Sequence, residues 1–86
     1  MVSKDTRIAD KLGLHMRPAN NFITAMTKYK SDITIVFNGN RINGKSIMNI
    51  MAACIKYDSP VTVICDGEDE QEMLDEAIHL LESGLE

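Results

Sequence analysis

Cysteine is scarce in this chain of 86 residues. Cys54 and Cys65 are the only two, too few for a disulfide framework or a cysteine-built metal cluster. Each lies in an apolar run, where a buried thiol is the expected state. No apolar stretch is long enough to cross a bilayer, so membrane insertion is not expected. The opening Met1-Val2-Ser3-Lys4-Asp5 contains no signal-peptide core, which makes the cytoplasm the expected compartment. Basic clusters are missing as well. With 13 acidic residues against nine lysines and arginines the net charge is −4, and nucleic-acid binding, which needs a basic face, is set aside. The acidic excess gathers in Asp66-Gly67-Glu68-Asp69-Glu70 and the segment after it, where it serves solubility. Internal repeats, linkers and low-complexity stretches are all absent. The length makes one domain, residues 1–86, with a modest core and no room for a deep, enclosed active site.

Apolar content of 44% is enough for a folded protein, and its periodicity sets the elements. Val2, Thr6 and Ile8 share a parity and allow a first strand, interrupted by Lys4. From Met16 to about Tyr29, Ala19, Phe22, Ile23, Met26 and Tyr29 form one helical stripe. Pro18 falls in its first turn, where a missing N–H costs nothing, and His15 is placed at or beside the N-cap. Ile33, Ile35 and Phe37 alternate with Thr34 and Val36 in a second strand. Asn38-Gly39 predicts a type I′ hairpin into Arg41-Ile42-Asn43. Ser46 caps a short helix over about Ile47 to Ile55. Pro60 opens a strand from Val61 to Cys65, and a last helix buries Met73, Leu74, Ala77, Ile78 and Leu81. Asp69 and Glu72 have capping-box spacing for that helix, and Gly84 stands ready to stop it. The order is β-α-β-β-α-β-α, an α+β open sandwich with helices on one face of one sheet.

The chemistry concentrates in Gly13-Leu14-His15-Met16-Arg17-Pro18-Ala19. An imidazole at a helix entrance is held as the neutral nucleophile by the positive end of the helix dipole. Once a phosphoryl group arrives, the same N–H groups and the Arg17 guanidinium can receive its oxygens. The site should be shallow, so that a donor protein and an acceptor protein reach one nitrogen in turn. Taken alone, His-x-Arg also fits a histidine capping a helix beside a solvated arginine. His79 lies opposite the buried stripe of the last helix and reads as a surface histidine.

Asn43-Gly44-Lys45-Ser46-Ile47-Met48-Asn49-Ile50-Met51 is the second informative stretch. On 3.6-residue geometry Ile50, Ala53 and Cys54 point one way, toward the core. Ile47, Met48, Met51 and Ile55 lie about 100° around from them and form an adaptable apolar patch, either a partner surface or covered by a neighbouring loop. A phosphate on Ser46 would place two charges at the edge of that patch and penalise any partner that buries it.

The heptapeptide around His15 closely resembles the active-site signature of HPr, the histidine-containing phosphocarrier of the bacterial phosphotransferase system, and the resemblance extends over the whole chain. It implies an HPr-like open-faced β-sandwich, a four-stranded antiparallel sheet covered on one face by three helices. It implies that His15 is phosphorylated on Nδ1 by enzyme I, with phosphoenolpyruvate as ultimate donor, and passes the group to enzyme IIA domains for sugar uptake, with Arg17 holding the phosphoryl oxygens. The protein is then a substrate and carrier, not an enzyme, and needs no cofactor or metal. By the same resemblance Ser46 is a regulatory site for an HPr kinase/phosphorylase. Ile47, Met48 and Met51, with Asn20 and Thr24 on the first helix, meet the partners, and the protein is a monomer. Leu12, Asn20, Asn21, Cys54 and Asp58 depart from the family pattern. Leu12 stands where a small polar residue near the histidine is frequent, and Cys54 and Asp58 where glycines are common. A mainly regulatory homologue, signalling without sugar transport, is the second reading. A small acylphosphatase-like enzyme is the third, disfavoured because no arginine-bearing, glycine-rich cradle is present.

Overall fold

Period-two patterning folds four segments of the chain into one antiparallel sheet. A computed structural model describes residues 1–83. Its elements are Val2–Arg7 (β1), Met16–Met26 (α1), Asp32–Phe37 (β2), Asn40–Asn43 (β3), Ile47–Ala53 (α2), Pro60–Asp66 (β4) and Glu70–Ser83 (α3). The strand order is β1-β4-β2-β3, and each neighbouring pair is antiparallel. Thr6, Ile33, Ile35, Ile42, Val61, Val63 and Cys65 face inward and are buried. Residues of the other parity, such as Thr34, Val36, Thr62 and Ile64, stay half-exposed on the uncovered face. The expected element order and one-sided sandwich are therefore present.

The helices close the core from one side. α1 contributes Pro18, Ala19, Phe22 and Met26, α3 contributes Met73, Leu74, Ala77, Ile78 and Leu81, and α2 contributes Ile50 alone. Each fully buried Phe, Ile or Met is worth about 1.5–3 kcal/mol. At the hairpin, Asn38 and Gly39 have φ of 52° and 79°, both positive as a type I′ turn requires.

Three local expectations are corrected. α1 stops at Met26 rather than Tyr29: the chain leaves the helix at Thr27, and Tyr29 turns its hydroxyl to Glu76 on α3. α2 ends at Ala53, because Cys54 takes a left-handed conformation with φ of 53°. That reversal turns Cys54 outward, so its thiol is exposed rather than buried, and swings Ile55 into the core at 3% exposure. A 3.6-residue projection cannot see past a helix that has already stopped. Cys65 is buried as expected. The predicted stop at Gly84 lies outside the described residues.

The third correction concerns the start of α3. Asp69 is the N-cap through its carbonyl, which accepts from Met73 N–H at 3.1 Å. Its carboxylate, however, is committed to the loop before β2 rather than to a capping box with Glu72. It accepts from the N–H groups of Lys30 and Ser31 at 3.0 and 2.9 Å and from the Ser31 hydroxyl. The Ser31 hydroxyl, followed by the Lys30 N–H, holds this acid at a pKa of about 2, well below the usual carboxylate range. A depressed folded pKa means that the contribution is complete above the unfolded value of 3.8 and is lost as pH falls toward 2. Urea titrations should therefore find Asp69→Asn less stable than the parent at neutral pH, with the gap narrowing between pH 4 and pH 2. A gap independent of pH would show that the carboxylate charge has no part in the link.

Candidate phosphoryl-accepting site

Local chain geometry fixes where His15 stands. The loop before α1 turns at Gly13, with φ of +77°, and Gly13 N–H donates to the Asp10 carbonyl at 2.9 Å. Leu14 N–H then donates to the Ile55 carbonyl at 2.9 Å, pinning the loop to the residue just beyond α2. The approach is so close that a Cβ on Gly13 would lie 2.5 Å from that carbonyl oxygen. Leu14 and Ile8 anchor the loop in the core at 3% and 2% exposure.

His15 follows as the N-cap of α1, extended at φ −80° and ψ −176°, with its side chain making no capping bond. Its carbonyl accepts from Ala19 N–H at 3.0 Å. Pro18 has no N–H, so helix geometry leaves the Met16 and Arg17 N–H groups without intrahelical acceptors. The ring is half-buried, deeper than a surface histidine, and Nε2 is shielded from solvent. Arg17 is exposed and its guanidinium makes no hydrogen bond or ion pair among the described residues. It is a charge left available to a ligand.

Leu12, Leu14, His15, Met51, Cys54, Ile55 and Lys56 line one shallow hollow. The histidine thus meets the far end of α2, a proximity invisible along the sequence. Of the expected docking residues, Met48 is 79% exposed, while Ile47 and Met51 are half-buried against the core. Asn20 and Thr24 are exposed on α1. Ser46 caps α2, its hydroxyl accepting from Asn49 N–H at 3.3 Å. His79 is exposed on α3, as predicted.

Charge is strongly polarised, a signal available in the sequence but obscured by the net value. Residues 11–57 hold seven lysines and arginines and one acid, Asp32, whereas residues 58–86 hold ten acids and no lysine or arginine. Both short helices lie in the basic half. Lys28, just past the end of α1, pairs with Glu76 of α3 at 2.7 Å, whereas Arg17 has no such partner among the described residues.

The site thus consists of a half-buried imidazole at the N-cap of α1 and, two residues on, an exposed guanidinium. The family model for the PTS HPr component phosphorylation site matches residues 2–83, and the chain belongs to this HPr family of phosphocarriers. It is 38% identical over 82 residues to the HPr-like protein Crh of Halalkalibacterium halodurans, covering 95% of this chain and 98% of the relative. It is 43% identical over 67 residues to the phosphocarrier protein HPr of Mycoplasma capricolum, covering 78% and 75%. A crystal structure of HPr from Thermoanaerobacter tengcongensis matches with a TM-score of 0.92 at 34% identity, covering 96% of this chain and 93% of that one. A second structure of that protein, described as a dimer, matches with a TM-score of 0.75 at the same 34% identity, covering 96% and 95%. The relatives therefore lend no support to the expected monomer. Among the described residues no helix is long and apolar enough to cross a membrane.

Proposed function

We propose that the protein accepts a phosphoryl group on Nδ1 of His15 from phospho-enzyme I and passes it to a histidine of an enzyme IIA domain, in the cytoplasm. The single observation that carries this reading is the disposition of His15 itself. His15 stands half-buried at the N-cap of α1 with Nε2 enclosed, which supports Nδ1, the nitrogen implied by the family resemblance, as the acceptor. In the transfer, the Nδ1 lone pair forms the new N–P bond while the donor's N–P bond breaks, returning its electron pair to the donor histidine. The phosphoryl oxygens then meet the Arg17 guanidinium and the free N–H groups of the first turn. No proton need leave the neutral imidazole through its nucleophilic nitrogen. The reverse sequence discharges the group to the acceptor.

The test is transfer from phosphoenolpyruvate through purified enzyme I, with the product mapped by mass spectrometry in alkali, which spares phosphohistidine. One acid-labile phosphate on His15 is the expected outcome. A folded protein left unlabelled by a demonstrably active enzyme I would refute the carrier reading.

A second reading is favoured by the likeness to the HPr-like protein Crh: regulatory output through Ser46, phosphorylated by an HPr kinase/phosphorylase. Ser46 sits directly before Ile47 and the exposed Met48, so a charge there alters the surface a partner must bury. Ser46→Asp should raise the concentration of the protein needed for half-maximal phosphorylation by on the order of tenfold, with the rate at saturation unchanged. An unaltered concentration dependence would separate Ser46 from the docking surface.

A further inference from the structure

The hollow beside His15 has a lining the transfer chemistry does not need. Apart from His15 and Lys56 it is built of Leu12, Leu14, Met51, Cys54 and Ile55. Leu14 and Ile55 are its buried floor at 3% exposure each, whereas Leu12 stands 73% exposed at its mouth. Cys54 faces the same space because its left-handed backbone turns it out of α2. An exposed leucine gains nothing in the isolated fold, since it is outside the core cluster and leaves apolar area in water. The hollow has an open side and shares a wall with the reacting imidazole.

We infer that this hollow is a socket for one apolar side chain of the proteins that exchange phosphoryl groups with His15, and that Leu12 determines how tightly they bind. The inference rests on the phosphocarrier reading. Continuity with the reacting centre identifies the occupant: any protein that brings a phosphohistidine to His15 must cover the space around the ring. The floor and walls select a flexible aliphatic or thioether group, because a charged group placed there would lose hydration with only Lys56 to compensate. Leu12 then packs against the inserted side chain and excludes water from the rim, the arrangement that concentrates binding energy at the centre of an interface. Its effect falls on docking and leaves the N–P bond transfer alone.

Leu12→Asn tests this in the transfer assay with enzyme I as donor, and Leu12→Met serves as the conservative control. Leu12→Asn should raise KM for this protein about tenfold with kcat unchanged, and Leu12→Met should restore KM to within about twofold of the parent. Enzyme I should also slow alkylation of the Cys54 thiol in the parent and do so less in Leu12→Asn. An unchanged KM in Leu12→Asn, a loss in kcat alone, or equal behaviour of the two variants would overturn the socket while leaving His15 the acceptor. Absence of His15 labelling in the parent would instead overturn the phosphocarrier reading, and the socket with it.

Discussion

His15→Ala is expected to yield a folded protein that takes no phosphoryl group from phospho-enzyme I, a complete loss of acceptance. The other histidine, His79, is exposed on α3, well along the chain from the basic half that carries Arg17. The stability change should stay within about 1 kcal/mol. The ring makes no capping bond, and the His15 carbonyl that starts α1 survives the substitution. A urea melt and an alkaline mass map on the same preparation check both halves of the claim. Acid-labile phosphate persisting in the variant would move the acceptor elsewhere.

Gly13→Ala is expected to cost about 2–3 kcal/mol of stability and to slow transfer to His15 as well. Two effects add. The backbone sits at φ +77°, and a methyl group would meet the Ile55 carbonyl oxygen at 2.5 Å and the Lys56 Cα at 2.9 Å. Both are main-chain atoms that no rotamer change can move. Relief requires lifting the loop off the end of α2, which breaks the Leu14 to Ile55 hydrogen bond and displaces the residue that follows, His15. Gly39→Ala provides the control. Its φ of +79° is nearly the same, yet nothing lies within 4 Å of the added carbon, so only the conformational cost of about 1 kcal/mol remains. Equal losses in the two variants would show that the loop is not tightly docked.

Much of this architecture was legible because it depends on periodicities that act locally. The alternation in β2 and β4, the stripe of Ala19, Phe22 and Met26, and the Asn38-Gly39 turn each follow from sterics over a few residues. Misreadings arose where a distant group competed. Asp69 has capping-box spacing to Glu72, but Ser31 lies closer in space and takes the carboxylate. Cys54 lies in an apolar run and looks buried until the helix is known to end one residue earlier. The proposed phosphoryl-accepting pair, His15 and Arg17, could be recognised from adjacent residues. The socket could not, since it joins Leu12 to Met51 and Cys54 across some forty residues that carry no marker of their meeting.

The place of β1 in the sheet bears on how the molecule is made. The first strand has no early partner: Val2 waits for Cys65, and Arg7 for Pro60. During translation at about 5–20 residues per second, β1 is synthesised several seconds before its neighbour exists. It must stay extended and unpaired while β2 and β3 close their local hairpin. A slow codon stretch between the two strands would lengthen that exposure. The polar Ser3, Lys4 and Asp5, all turned to solvent in the finished fold, help keep the nascent strand from pairing with another chain as it waits.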